Sequence, residues 1–160
     1  MPTTDTEKVP QPGKVVGKVK KFSKKLFEKY DLPARELVKE KLTTFVKDNP
    51  NIYEQDMILE IPGYKYRFLE LQVCTGWVGE KYPYDKPFVY ARKNLFSEDT
   101  LFLILDRHMT AGLVFDKNSL LEKPRRLKKY SRSFVYEAPW HRVLPVSLDT
   151  FDVETLQTYS

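Results

Sequence analysis

The sequence predicts a mixed α/β fold, in which a mixed central β-sheet of about five strands is flanked by helices. The length of 160 residues suits one domain with one hydrophobic core. Hydrophobic residues make up 41% of the chain, which is too large a share for a disordered protein. Apolar residues recur at helical spacing up to residue 47, and runs of strand-forming residues follow from residue 57.

The N-terminal part predicts a flexible segment followed by a basic helix. Residues 1–14 are rich in proline and polar side chains and have little to bury, so we expect them to be flexible. Residues 15–160 are expected to form a single α/β domain. Within residues 15–29, lysines surround one apolar stripe, which consists of Val19, Phe22, Leu26 and, beside them, Phe27. This pattern predicts a basic amphipathic helix that packs on the domain with its lysines outward.

A second helix is predicted over residues 33–47. Asp31 is a suitable N-cap, and Pro33 is permitted in the first helical turn. Asn49 and Pro50 supply the stop signal. The apolar positions that follow helical spacing are Val38, Leu42, Phe45 and Val46.

The segment after this helix predicts the sheet. Residues 57–61 and 64–73 are expected to pair as a β-hairpin across Pro62 and Gly63. Further strands are expected at residues 88–92, 100–105, 110–115 and 134–137. The run LFLIL at 101–105 is continuously apolar, so its strand is expected to be central and covered on both faces.

Basic side chains concentrate in two segments. The formal net charge is +5, and residues 1–48 carry twelve basic and seven acidic side chains. Residues 117–132 carry seven basic side chains and one acidic side chain, while the residues between the two segments are acidic on balance. Clustered lysines and arginines displace the counterions condensed on a polyanion, so this layout favours nucleic acid as a partner. The alternative is that both segments are solvated faces that keep the protein soluble.

The composition excludes several classes of protein. The sequence has neither a signal peptide nor an apolar run of about 20 residues, so we expect an intracellular protein, cytoplasmic or nuclear, that is not secreted and does not bind membranes. Cys74 is the only cysteine, and His108 and His141 are the only histidines, which leaves no internal disulfide and no clustered zinc site. No glycine-rich phosphate loop, dinucleotide fingerprint or Gly-flanked serine occurs. Cys74 is expected to be a buried small side chain rather than a nucleophile.

Two acidic residues occur where the first hairpin would bring them together. Asp56 begins one strand, and Glu70 and Gln72 lie on one face of the next strand because side chains alternate. Two carboxylates at one end of a sheet offer the hard oxygen ligands that Mg²⁺ accepts together with water. The sequence therefore predicts a metal site at Asp56 and Glu70.

The order of these elements resembles the PD-(D/E)XK nuclease superfamily. In that superfamily, an acidic residue at the start of one strand is followed on the next strand by Glu, any residue and Lys. The matching residues here are Asp56 and then Glu70, Leu71 and Gln72, and the resemblance covers residues 33–115. Gln72 stands in place of the superfamily lysine, and no proline directly precedes Asp56.

The resemblance implies a restriction-endonuclease-like core and a Mg²⁺- or Mn²⁺-dependent hydrolase, an endo- or exonuclease that cuts phosphodiester bonds. It implies that Asp56 and Glu70 hold the metal and that Gln72 positions the attacking water. Lys93 either reaches the same site in place of the missing lysine or is an ordinary exposed lysine at a strand end. The superfamily also uses an acid of the first helix, for which the candidates are Glu36 and Glu40.

The basic run near the C-terminus predicts a phosphate-binding surface. Residues 122–132 are expected to be a basic loop or short helix, and a short final helix is expected from Leu148. The residues expected to contact nucleic acid are Arg125, Arg126, Lys128, Lys129, Tyr130 and Arg132. Tyr130 either stacks on an unpaired base or, like Phe134 and Tyr136, is an ordinary core or strand aromatic.

Two other functions stay open at this stage. One is a non-catalytic nucleic-acid-binding or packaging protein, on the same fold with a decayed site. The other is a structural scaffold that uses an aromatic surface, since fold alone does not determine function. The aromatic loop after Gln72, with Trp77, Tyr82 and Tyr84, either borders the site or closes the core. DNA is favoured over RNA as the partner, and a homodimer is left open.

Overall fold

The computed structural model describes residues 24–127 and 134–160, which form a mixed α/β fold. The strands are β1 (Val46–Asp48), β2 (Met57–Leu59), β3 (Phe68–Cys74), β4 (Phe88–Tyr90), β5 (Thr100–Asp106), β6 (Ala111–Asp116), β7 (Arg125–Arg126), β8 (Phe134–Glu137) and β9 (Leu144–Ser147). The larger sheet has six strands in the order β1-β2-β3-β5-β6-β9, and the smaller sheet has three in the order β4-β8-β7. The α/β class predicted from the sequence is confirmed, but the main sheet exceeds the expected size, and the second sheet was not predicted.

The helices at the N-terminal end are α1 (Lys24–Leu26) and α2 (Leu32–Leu42), joined by a π-helical turn at Phe27–Asp31. The predicted N-cap at Asp31 is wrong, because Asp31 has helical backbone angles and makes no capping hydrogen bond. Residues 15–23 of the predicted basic helix, and the N-terminal segment 1–14, lie outside the described residues.

The second helix also ends earlier than its apolar spacing predicted. It stops at Leu42, where Thr43 has a φ of 52°, and the next residues form the 3-10 turn Thr43–Phe45 and then β1. In β1, Val46 pairs with Leu59 of β2 and is buried. Pairing with a neighbouring strand therefore overrides a local pattern that suits a helix, which is the usual limit of propensity arguments.

The antiparallel pairing predicted for the first hairpin is confirmed, but residues 60–67 connect its two strands instead of Pro62 and Gly63 alone. Tyr64 N donates to the Ile61 carbonyl at 3.1 Å, and Gly63 takes a φ of 76°, a left-handed conformation that glycine adopts without a Cβ penalty. β2 and β3 are antiparallel, with Met57 opposite Leu69. The second strand begins at Phe68 rather than at Tyr64.

The predicted central strand is confirmed. Every residue of β5 is buried, and β5 lies between β3, to which it is parallel, and β6, to which it is antiparallel. The hydrophobic core surrounds this strand, with side chains that include Leu103, Ile104 and Phe115. β3, which carries Glu70 and Gln72, is therefore held against the most buried element of the protein.

The C-terminal part adds elements that the sequence indicated only in part. β8 coincides with the predicted strand at 134–137, whereas β9 was not predicted. The predicted final helix is α3 (Val153–Gln157), in which Asp152 accepts a capping hydrogen bond from Thr155 N at 2.8 Å. Of the helices in the described ranges, none combines the length and apolar character needed to traverse a bilayer.

Candidate functional site

Asp56 and Glu70 lie side by side at one end of the β2–β3 pair. Because Met57 pairs with Leu69, Asp56 is opposite Glu70 in the antiparallel register. Asp56 N donates to Glu70 Oε1 at 2.9 Å, and Leu71 N donates to Asp56 Oδ2 at 2.9 Å. A backbone N–H of the opposite strand thus fixes each carboxylate, and the hairpin brings the two acids together.

Lys93 lies in the same cluster, although it is distant in sequence. It belongs to the 3-10 helix Ala91–Leu95, which directly follows β4. Its Nζ is 3.2 Å from Glu70 Oε2 and donates to Gln72 Oε1 at 3.2 Å. Lys93 is only 5% exposed, so the alternative of an ordinary exposed lysine is wrong.

Gln72 connects this lysine to the neighbouring sheet. Its Oε1 accepts from Lys93, and its Nε2 donates to the Phe88 carbonyl of β4 at 3.3 Å. Both ends of the side-chain amide are thereby used. A lysine at position 72 has no acceptor and would not make the first of these bonds.

Arg35 completes this cluster, and it was not predicted from the sequence. It extends from α2, and its Nη2 lies 2.7 Å from Asp56 Oδ1 while its Nη1 donates to the Asp56 carbonyl at 3.0 Å. The expected helix acids do not take this place: Glu36 pairs with Lys39 at 3.1 Å, and Glu40 is exposed. The signal for Arg35 in the sequence was its position next to the buried Ala34, at the edge of the apolar stripe of α2.

The cluster holds two carboxylates and two cations, and the Glu70–Lys93 pair is largely removed from water. Glu70 and Lys93 are 8% and 5% exposed. Burial raises the pKa of the Glu70 carboxyl above its ordinary value; Lys93 opposes this increase, and the nearby Asp56 charge adds to it. The carboxylates of Asp56 and Glu70 thus face the cations of Arg35 and Lys93.

The two carboxylates fit the requirements of Mg²⁺, which commonly takes one or two carboxylates from a protein and keeps several waters. Each of their oxygens already faces one N–H donor, but a carboxylate oxygen retains a second lone pair. Within residues 24–127 and 134–160, no group of three or more His, Cys, Asp or Glu side chains provides a complete ligand cage. Asp56 and Glu70 are therefore the residues that would hold such an ion.

The predicted phosphate-binding run is described only in part. Arg125 and Arg126 form β7; Arg125 Nη2 lies 2.8 Å from Glu137 Oε2, and the Arg126 guanidinium lies 5.5 Å from the centroid of the Phe134 ring. Tyr136 is a buried core residue. The other predicted contacts lie outside the described residues: Lys128, Lys129, Tyr130 and Arg132.

A cleft of about 430 Å³ lies beside this cluster, and Gln72, which accepts from Lys93, also lines the cleft. Its walls come from five parts of the chain: Leu26 and Tyr30; Gln72 to Gly76; Tyr84, Phe88 and Tyr90; Arg107; and Leu127. Of the three aromatics in the loop after Gln72, Trp77 and Tyr82 are buried in the core, and Tyr84 lines the cleft. Tyr90 and Arg107 also line the cleft, and neither was predicted from the sequence.

Cys74 also lines the cleft and is half-buried. Burial raises the pKa of its thiol, although Gly76 N and Trp77 N donate hydrogen bonds that oppose the increase. Since the thiolate is the nucleophilic form, a raised pKa makes Cys74 a poor nucleophile at neutral pH.

No protein-family model, curated protein or solved structure matches the chain. The likeness to the PD-(D/E)XK superfamily therefore stays a prediction from the residues themselves.

Proposed function

We propose that this protein is a metal-dependent nuclease, built on a restriction-endonuclease-like core, with Asp56, Glu70 and Lys93 at its centre. The observation that carries the proposal is the position of Lys93. Its Nζ is 3.2 Å from Glu70 Oε2 and 3.2 Å from Gln72 Oε1, although it lies 21 residues beyond Gln72. A lysine from another element thus stands beside the residue that replaces the motif lysine.

The order of elements around this centre also supports the proposal. Helix α2 precedes the antiparallel β2–β3 pair that bears the acids, and further strands follow. This is the order that the resemblance to the superfamily implies. β5, parallel to β3 and fully buried, holds the acid-bearing strand in place.

Each side chain of the centre has a defined task in this proposal. Asp56 and Glu70 hold Mg²⁺, which when bound would lower the pKa of a coordinated water and offset phosphate charge. Lys93 uses two of its three N–H donors on Glu70 and Gln72, which leaves one donor for a phosphate oxygen. A donor aimed at charge that develops on the phosphate stabilises the transition state. Gln72 orients Lys93 in this scheme, rather than the water.

The test is cleavage of labelled linear, circular and single-stranded DNA, with RNA as a further substrate, in Mg²⁺ or Mn²⁺. Asp56→Asn and Glu70→Gln should each abolish cleavage, because both remove a metal-holding charge while keeping the side-chain shape. Matched controls are the exposed acids Asp149→Asn and Glu98→Gln, which should cleave like the unmodified protein. Cleavage that survives both site substitutions would exclude this centre.

A second candidate function is a nucleic-acid-binding protein without catalysis. One observation favours it: Arg35 lies 2.7 Å from Asp56 and Lys93 lies 3.2 Å from Glu70, so the acids are already neutralised by protein cations. On this alternative the basic segments bind phosphates and the acids only stabilise the fold. Tight, salt-sensitive DNA binding that is unaffected by Mg²⁺ and accompanied by no cleavage would favour it over the nuclease.

A further inference from the structure

The cleft adjoins the charged cluster through one shared residue, Gln72. Gln72 touches Lys93 on one side and lines the cleft on the other. Leu26 is the last residue of α1, Tyr30 lies in the π-helical turn that follows, and Leu127 follows the arginines of β7. Described residues of both basic segments therefore line this cleft.

The lining of the cleft suits a planar aromatic ligand with a negative charge attached. Its aromatic wall is continuous, since the rings of Tyr84 and Phe88 are 5.1 Å apart and those of Phe88 and Tyr90 are 6.0 Å apart. Arg107 supplies a cation and is exposed. None of the described residues that line the cleft carries a carboxylate. Aromatic walls with a nearby cation are the usual means of holding unpaired bases.

We propose that the cleft binds one unpaired nucleobase of the strand whose phosphate lies at Lys93, so that the substrate is single-stranded or locally opened nucleic acid. This inference rests on the proposed function. It concerns binding, however, and is measured without cleavage.

The volume of the cleft favours a single strand over a duplex as the ligand. A volume of about 430 Å³ falls in the range of small-ligand pockets and is too small for a base-paired segment. A base within a duplex is stacked and paired, and it enters a pocket only after it leaves the stack. That cost disappears in a single strand.

Gly76 provides a way to fill the cleft without altering the acidic pair. A Cβ placed on Gly76 would meet Tyr84 Oη at 3.6 Å, an ordinary van der Waals distance. Gly76 is not among the glycines with a positive φ, so a side chain there causes no backbone strain. Gly76→Leu should therefore occupy the cleft, and Gly76→Ala is the matched small control.

The experiment measures binding of a labelled single-stranded oligonucleotide in EDTA, with the same sequence as a perfect duplex for comparison. Gly76→Leu should weaken single-strand binding about tenfold, the magnitude of one lost stacking contact, and leave duplex binding unchanged. Gly76→Ala should bind like the unmodified protein. Equal binding by Gly76→Leu, or equal weakening on both substrates, would overturn the inference.

A second pair of variants keeps the test decisive if Gly76→Leu does not fold. Tyr84→Ala removes one aromatic wall and should weaken single-strand binding, while Tyr84→Phe retains the ring and should not. Equal affinities for Tyr84→Ala and Tyr84→Phe would also overturn the inference.

The cleavage assay separates this inference from the proposed nuclease. If no cleavage occurs but Gly76→Leu still loses single-strand affinity, the nuclease proposal fails and the base-binding cleft stands. If Asp56 and Glu70 are needed for cleavage but the Gly76 and Tyr84 variants bind normally, the cleft inference fails and the nuclease stands.

Discussion

Arg35 and Asp56 are joined by two contacts: Arg35 Nη2 lies 2.7 Å from Asp56 Oδ1, and Arg35 Nη1 donates to the Asp56 carbonyl at 3.0 Å. The guanidinium thereby ties α2 to the start of β2 and fixes the direction of the Asp56 carboxylate. If Asp56 holds Mg²⁺, as proposed, the Arg35 guanidinium occupies one side of the same carboxylate. On that proposal, Arg35 stabilises Asp56 when metal is absent and competes with Mg²⁺ for its carboxylate.

Replacing Arg35 should make the protein less stable but more responsive to Mg²⁺. Arg35→Met loses hydrogen bonds to a charged group, and we expect a cost of about 1.5–3 kcal/mol in the free energy of unfolding. With the competing charge gone, added Mg²⁺ should raise the melting temperature more in the variant than in the unmodified protein. Thermal unfolding across a Mg²⁺ series measures both effects.

The matched control for Arg35 lies on the same helix. Lys39 bonds to Asp48 at 3.0 Å and has no contact with Asp56, so Lys39→Met should leave the Mg²⁺ response unchanged. An equal Mg²⁺ response in Arg35→Met and in the unmodified protein would show that Asp56 does not hold the ion.

Exchanging Lys93 and Gln72 tests whether the charge of Lys93 serves catalysis. Lys93→Gln should reduce cleavage by about 100-fold or more, comparable to the loss of one donor at a transition state. Adding Gln72→Lys to that variant returns a lysine to the motif position and should restore part of the rate. Full activity in a folded Lys93→Gln variant would contradict the assigned role.

Gln72→Leu separates orientation from charge in the same cluster. It removes the Gln72 Oε1 acceptor but leaves Lys93 bound to Glu70, so its loss of cleavage should be smaller than that of Lys93→Gln. The rates are compared at saturating Mg²⁺. A loss as large as that of Lys93→Gln would mean that Gln72 itself contacts the reacting groups.

The parts of this site that the sequence predicted correctly depend on local rules. Pro62 and Gly63 specify the turn, and alternation along a strand puts Glu70 and Gln72 on one face. The strand LFLIL was recognisable because a continuously apolar run requires cover on both faces. These features are determined by residues that are close in sequence, and they were sufficient to predict that Asp56 lies next to Glu70.

The rest of the site depends on packing between distant elements. Lys93 reaches Glu70 because β4 belongs to a second sheet and ends at Tyr90, after which the 3-10 helix turns the side chain inward. Arg35 reaches Asp56 because α2 packs beside β1 and β3. Neither contact follows from the spacing of apolar residues, which also predicted the last turn of a helix where β1 forms. The cleft was not predicted for the same reason, since its walls come from five separate segments.

The buried Glu70–Lys93 pair should be sensitive to the loss of one partner. Lys93→Met leaves the buried Glu70 without its cation, and we expect a loss of about 3–5 kcal/mol in the free energy of unfolding at neutral pH. Glu70→Gln combined with Lys93→Met should recover most of this loss, because no charge then stays buried. Chemical denaturation of the single and double variants measures the difference.

The loss in Lys93→Met should depend on pH in a defined direction. Burial raises the pKa of Glu70 in the folded state, and without Lys93 it should rise further. At a pH between the pKa of Glu70 in the unfolded state and its pKa in the folded state, the folded state binds more protons. The free energy of unfolding of Lys93→Met should therefore be highest below pH 4.5, the ordinary value of this pKa, and should fall as the pH rises above it. The double variant lacks this slope.

An exposed ion pair is the control for the buried one. Lys47 lies 3.0 Å from Glu60, and both side chains are about half exposed. Lys47→Met should cost about 0.2–1 kcal/mol, with little change in pH dependence. Equal losses in Lys47→Met and Lys93→Met would show that the Glu70–Lys93 pair is not buried in solution.

The basic run should contribute unequally to nucleic-acid binding. In the absence of divalent ions, log affinity falls as log salt rises, and each lysine that neutralises a phosphate adds about 0.7–0.9 to the magnitude of this slope. The double variant Lys128→Ala, Lys129→Ala should therefore reduce the magnitude of the slope by about 1.4–1.8. Arg125→Ala should lower it less, because Arg125 is bonded to Glu137 at 2.8 Å and its charge is already balanced. Binding measured at several NaCl concentrations tests this order; an unchanged slope in the double lysine variant, or a larger effect from Arg125→Ala, would contradict it.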